Sequence, residues 1–140
     1  MEREYKAIAR DFLDELWNRG NFLVVDQMLA SDYDGHDSTV IRGPEGAMEF
    51  VPRLRSAFPD YQFTVLDQIA EGDKVATRWR IRGTHEGEFQ GIQPSGVQME
   101  MTGITIFRIA SGKLIEGWTN EDVFGVLQQL GAVPALGQAG

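Results

Sequence analysis

Phe63-Thr64-Val65-Leu66-Asp67-Gln68-Ile69-Ala70-Glu71-Gly72-Asp73-Lys74-Val75-Ala76-Thr77-Arg78-Trp79-Arg80-Ile81-Arg82 is where the chain turns from helical periodicity to a period of two. Phe63, Val65, Asp67 and Ile69 fall on one face of a first strand, opposite Thr64, Leu66 and Gln68. Glu71-Gly72-Asp73 is a hairpin turn into a second strand that runs from Lys74 to about His85. Its Val75, Thr77, Trp79 and Ile81 share one face, and Arg78, Arg80 and Arg82 share the other. Without a bulge, His85 lies on the Trp79 side.

Downstream, Glu86 to Gly96 carries Gly87, Gly91, Pro94 and Gly96 and reads as a long loop or irregular hairpin. Two more strands follow, about Val97 to Ile109 and Lys113 to Asn120, joined by Ala110-Ser111-Gly112. The former is apolar on both sides, with Met99, Met101 and Phe107 facing one way and Ile104 and Ile106 the other. Helices can cover one face, and a second copy of the chain is the expected cover for the other, so a homodimer or higher homo-oligomer is predicted. A last helix is expected from near Asn120 to Gly131, a residue placed for a left-handed C-terminal cap, with Ala132 to Gly140 as a loose tail.

Upstream, Tyr5, Ile8, Ala9, Phe12, Leu13, Leu16 and Trp17 recur at helical spacing, so residues 3 to 19 form an amphipathic helix that Gly20-Asn21 ends. A short helix at about Phe22 to Leu29 and a polar extended segment from Asp32 to Asp37 follow. Arg42-Gly43-Pro44-Glu45-Gly46 opens a third helix that runs to about Phe58, and Pro52 inside it predicts a kink or break. Helices first and an antiparallel sheet afterwards make an α+β fold, a single domain over residues 1–131 with helices on one face of a curved sheet.

Composition narrows the partners. In 140 residues, 13 Lys and Arg stand against 21 Asp and Glu, a net charge of -8 that argues against nonspecific nucleic-acid or anionic-membrane binding. No apolar run reaches the length of a signal or membrane segment, and a cytoplasmic protein is the expectation. Without cysteine there is no disulfide, thiolate nucleophile or thiolate metal site, and no His-x-x-x-His or similar ligand pair occurs, so no metal is expected. A small neutral molecule is the expected ligand.

The segment from Lys113 to Asp122 carries the chemistry-bearing residues. As a strand it sets Glu116, Trp118, Asn120 and Asp122 on one side, and an aromatic, an amide and a carboxylate together suit a pocket for a planar organic substrate. Asp122 reads equally as a general acid or base and as the residue three positions after Thr119 in a capping box that Thr119 starts. His36 lies between Asp34 and Asp37, where a carboxylate can fix its tautomer, although an isolated histidine is more often an ordinary surface residue. Trp79 and Trp118 can line an aromatic slot or simply fill a core, and the arginine row reads as a solvated or interface face.

Taken in order, Ala57-Phe58-Pro59-Asp60, Gly72-Asp73-Lys74, Arg82-Gly83-Thr84-His85-Glu86-Gly87, Gly91-Ile92-Gln93-Pro94-Ser95-Gly96, Gly112-Lys113, Glu116-Gly117-Trp118 and Gln128-Gln129-Leu130-Gly131 give a chain that resembles the SnoaL-like polyketide cyclases, also known as ester cyclases. The resemblance implies a cone-shaped α+β barrel of the nuclear-transport-factor-2-like superfamily, with helices closing one side of a bent sheet. It implies an intramolecular aldol cyclisation of a polyketide-type, hydrophobic or aromatic substrate without metal or organic cofactor. It carries Asp122 over as the acid/base group and His36 as a further residue of the catalytic pocket. Beside these, Trp118, Asn120, Trp79, His85 and Phe107 are the expected substrate contacts. Which of Glu121 and Asp122 faces inward is left open. A binding protein without turnover and a ketosteroid-type isomerase are the competing functions.

Overall fold

A computed structural model describes residues 1–36 and 43–133. The elements are α1 (Glu2–Trp17), α2 (Leu23–Met28), β1 (Leu29–His36), α3 (Gly43–Ala57), β2 (Gln62–Glu71), β3 (Lys74–Thr84), β4 (Gln98–Ala110), β5 (Lys113–Glu121) and α4 (Val123–Gln129). The five strands make one curled sheet in the order β1-β5-β4-β3-β2, antiparallel throughout except that β1 runs parallel to β5 at the edge. This is the expected α+β architecture. The expectations about Asp37, Arg42 and the tail from Pro134 onward lie outside the described residues.

Burial alternates cleanly along β3 and β4, so the sheet has an inner face that carries Val75, Thr77, Trp79, Ile81, Met99, Met101, Thr105 and Phe107. Helix α1 covers it. Phe12 meets Phe107 edge-on at 5.7 Å, and Trp17 stacks on both Phe63 and Trp79 at 5.9 and 6.4 Å. Such ring pairs add to the transfer free energy of the buried area. Asn18 then ties the end of α1 to β2, since its Nδ2 donates to the Phe63 carbonyl at 2.8 Å and its Oδ1 accepts from the Phe63 amide at 2.8 Å.

Four expectations change. β2 does not alternate throughout, because a bulge between Val65 and Asp67 flips its phase and leaves Ile69 72% exposed. Gln68 turns inward instead, donating to Thr77 Oγ1 and to the Lys6 carbonyl. Helix α3 is continuous through Pro52, whose ring sits on an exposed position, so only one backbone bond is forfeited. The polar segment at Asp32–His36 belongs to an edge strand that already begins at Leu29, where one-sided pairing tolerates polar residues. The last helix starts at Val123 rather than Asn120, because pairing of Gly103 with Glu121 and a bond from the Asp122 amide to the Thr102 carbonyl hold those residues in the sheet. At its other end Gly131, at φ +78°, closes the helix as expected, with the Ala132 amide donating to Leu127 and the Gly131 amide to Gln128. Gln129 anchors this helix by bonding both backbone groups of Glu100, at 2.7 and 2.8 Å, beyond the end of β5, where β4 is paired with β3 alone.

Candidate functional site

Strand register decides which polar residues meet. Paired residues of neighbouring strands point to the same side of the sheet, and three rows cross the inner face in succession. Trp79, Gly103 and Glu121 form one row, Thr77, Thr105 and Thr119 the next, and Val75, Phe107 and Gly117 the third. Glu121 therefore shares the face of Trp79 and Phe107. The glycine in its row is required by packing, because a Cβ on Gly103 would lie 2.3 Å from Cζ2 of the Trp79 indole. The indole thus lies across the backbone between β3 and β5, on the side of the carboxylate. Its Nε1 donates to Thr105 Oγ1 at 3.0 Å, and Thr105 Oγ1 is 3.1 Å from Thr119 Oγ1. Since the indole can only donate, Thr105 accepts from it, and the bond between the two threonine hydroxyls links that contact to Thr119, two residues from Glu121.

Glu116, Trp118 and Asn120 share one side as expected, but the same register puts that side outside and leaves Asp122 off it. Trp118 pairs with Ile106, Asn120 with Ile104 and Glu116 with Arg108, all on the outer face, opposite Trp79 and Phe107. Asp122 lies past the strand, exposed, as the N-cap of α4, where its Oδ1 accepts from the Gly125 amide at 2.8 Å. Capping is its structural role, although the cap is Asp122 itself and not Thr119, whose hydroxyl is engaged with Thr105. Among the expected substrate contacts, Trp79, Phe107 and His85 are inside and fully or almost fully buried, and Trp118 and Asn120 are outside.

His36 is also on the outer face. Parallel pairing sets Asp34 beside Glu116 and His36 beside Trp118. The His36 ring stacks on the Trp118 indole at 5.3 Å and 15°, and its Nε2 lies 2.8 Å from Glu116 Oε2 and 3.2 Å from Asp34 Oδ2. Arg108 Nε donates to the other Glu116 oxygen at 3.0 Å. The hydrogen bond to Glu116 raises the His36 pKa above its ordinary 6.5, and the same bond, helped by Arg108, lowers that of Glu116 below 4.5. Asp34, His36 and Glu116 offer three donor atoms within 4.8 Å of one another, which could hold a cation. Sequence spacing could not reveal this group, because its members come from two strands joined only by the fold. Thr105 is absent from the sequence reading and Thr119 enters it only as a cap; Thr105 carries a weak signal, as a polar position in the mostly apolar β4.

Known proteins share this fold. The sequence profile of the SnoaL-like polyketide cyclases matches residues 7–130. The chain belongs to that family. Among solved structures it is similar to IdmH of Streptomyces antibioticus, provisionally named a polyketide cyclase, with 33% identity over 91% of this chain and 98% of that one and a TM-score of 0.78. A provisional polyketide cyclase of Acidithiobacillus ferrooxidans has 32% identity over 92% and 95% of the two chains, with a TM-score of 0.77. AclR of Streptomyces galilaeus, provisionally a hydroxylase, superposes with a TM-score of 0.83 at 27% identity, over 99% of this chain and 87% of its own. No curated protein matches the chain. No described helix is long and apolar enough to cross a membrane.

Proposed function

We propose that this SnoaL-like chain closes a ring in a small polyketide-type carbonyl compound by intramolecular aldol addition, and that Glu121 rather than Asp122 is its acid/base group. One observation carries the choice of carboxylate: Glu121 pairs with Gly103 on the face lined by Trp79 and the threonine pair, while Asp122 is committed to the Gly125 amide. The Glu121 carboxylate takes a proton from the carbon between two substrate carbonyls. The resulting enolate carbon bonds to a second carbonyl carbon of the same molecule, and the alkoxide formed there takes the proton back from the Glu121 acid, so substrate and product are isomers. The acidity conferred by flanking carbonyls makes a carboxylate a sufficient base, and the Thr119 hydroxyl is the donor for the enolate or alkoxide oxygen. The Trp79 indole, itself only 1% exposed, is the buried flat wall behind the row that carries Glu121 and holds that row in place. His36, Trp118 and Asn120 take no part in this scheme, being on the opposite face.

Glu121→Gln and Asp122→Ala separate the two carboxylates. With a poly-β-carbonyl substrate followed by absorbance of the cyclised product, Glu121→Gln should lower kcat at least ~100-fold with a small change in stability. Asp122→Ala should retain turnover and lose about 1 kcal/mol of stability through the missing cap. The reverse pattern would transfer the role to Asp122, and unchanged turnover in both variants would rule out carboxylate catalysis at this segment.

A further inference from the structure

Among the inner-face polar side chains that the proposed reaction does not use, Thr77 and Gln68 bond each other, whereas His85 keeps a buried ring nitrogen without a partner among the described residues. It is fully buried, just past the end of β3. Its backbone is fixed on both sides, the amide donating to the Val97 carbonyl at 2.9 Å and the carbonyl accepting from the Gly96 amide at 2.8 Å. Its Nδ1 lies 2.8 Å from Ser95 Oγ and 3.3 Å from the Ser95 backbone nitrogen. A backbone amide can only donate, so Nδ1 is an acceptor and the ring proton resides on Nε2. Ser95 Oγ in turn accepts from the Val97 amide, which leaves its hydroxyl proton free for Nδ1. The loop thus selects one tautomer, and the Nε2–H donor it creates is buried with no hydrogen-bond partner among the described residues. A buried donor without a partner costs free energy that a merely structural ring, a phenyl for instance, would not.

The surroundings say how an acceptor could arrive. Nε2 itself has no accessible surface, so a neighbouring side chain must move first. The His85 ring packs 5.4 Å from Phe58, and Phe58 packs 5.3 Å from Phe89. Phe89 is also a wall of an outside cleft of about 410 Å³ with Arg53, Ser56, Glu88, Gln90 and Gly91. This phenyl stands on a two-residue turn, with Gln90 at φ +50° and Gly91 at φ +80°, held by the reciprocal Phe89 and Ile92 backbone bonds and by the Gly91 amide donating to Glu88 Oε1 at 2.6 Å. Left-handed Gln90 is a strained position for a residue with a Cβ. A ring on a small, strained hairpin therefore lies between the cleft and the Phe58–His85 pair.

We infer that the His85 Nε2–H, set by Ser95, is a ligand-binding donor for a carbonyl oxygen of a flat aromatic ligand that enters from the Arg53 cleft by displacing Phe89. His85 is six residues along β3 from Trp79, about 20 Å of strand at ~3.3 Å per residue, so this subsite does not join the proton transfer assigned to Glu121. It reads a remote carbonyl, and binding there stands or falls independently of that assignment.

The test compares anthraquinone-2-sulfonate with anthracene-2-sulfonate, which has the same rings and anion but no carbonyl oxygen, by fluorescence titration of the full chain. The wild type should prefer the quinone about tenfold, and His85→Phe should lose that preference while still binding the hydrocarbon. Nitrogen-15 spectra of the wild type should show the Nε2-protonated tautomer, with the Nε2–H signal shifted by the quinone alone. Ser95→Ala, a change at an exposed residue, should reduce the preference and guards against a His85→Phe chain that does not fold. Equal affinities in the wild type, an undiminished preference in His85→Phe, or an Nε2–H signal unmoved at saturation would each overturn the inference. Glu121→Gln should leave all of these readouts unchanged, so failure of the catalytic reading is seen separately.

Discussion

Replacing Gly103 by alanine puts a single methyl group into the row that joins Trp79 to Glu121. The added Cβ would lie 2.3, 2.5 and 2.8 Å from Cζ2, Cη2 and Cε2 of the Trp79 indole, where ordinary contacts begin near 3.4 Å, so the ring must retreat by about 1 Å. It has little room, being 1% exposed and wedged against Phe63 at 5.2 Å and Trp17 at 6.4 Å. Overpacking of this kind costs about 1–3 kcal/mol, and the absence of a flexible neighbour places it at the upper end. Alanine returns about 0.5–1 kcal/mol by stiffening the unfolded chain, so the net loss should be about 2 kcal/mol. Guanidinium unfolding should show it as a lower midpoint at unchanged slope. The near-ultraviolet circular dichroism of the stacked Trp17 and Trp79 should weaken as well, because the indole shifts. Trp79→Phe should relieve the clash, so that Gly103→Ala costs much less in the Trp79→Phe background, a coupling that a double-mutant cycle measures. Were Gly103→Ala within about 0.5 kcal/mol of wild type, the placement of the indole across β4 would be wrong, and with it the wall assigned to the Glu121 site.

Other consequences concern the outer face and the last helix. The raised pKa of His36 means that its contribution to stability is present below pH 6.5 and is lost as pH rises through the folded value, while the lowered pKa of Glu116 means that its contribution is lost as pH falls below 4.5. The pair should therefore stabilise most between those limits. A proton NMR titration should place His36 above 6.5 in the wild type and closer to 6.5 in Glu116→Gln, and an unshifted His36 would mean that the bond does not form in solution. Gln129→Ala removes both bonds to the Glu100 backbone and should cost about 1 kcal/mol, since exposed groups recover part of the loss from water. Hydrogen exchange at the Glu100 amide should accelerate in that variant, and an unchanged rate would show that α4 is held by its apolar contacts alone.

The elements themselves were legible in the sequence because each rests on a local pattern. The period of 3.6 in α1, the period of two in β3 and β4, and the glycines at Gly72, Gly112 and Gly131 all report interactions within a few residues. What the pattern missed was phase. A bulge adds one residue without any mark in composition, and between Val65 and Asp67 it reverses every later side chain of β2, so Ile69 goes out and Gln68 goes in.

The candidate site suffered from the same blindness in a more consequential way. Period-two spacing states that Glu116, Trp118 and Asn120 share a face and that Thr119 and Glu121 share the other, but it cannot state which face the helices cover. Trp118 is the larger apolar residue and suggested the inside, whereas Gly117, Thr119 and Glu121 are there. The deciding information is non-local. Phe107 must face Phe12, and Gly117, paired with Phe107, must then lie inward, because a side chain at that position would collide with the Tyr33 hydroxyl and the Phe107 ring. Once Gly117 is inside, alternation carries Thr119 and Glu121 inside with it and leaves Asp122 at the strand's end, free to cap α4. A small residue opposite a large one on the neighbouring strand, Gly117 against Phe107 and Gly103 against Trp79, is thus a better guide to the inner face of this sheet than the hydrophobicity of any single strand.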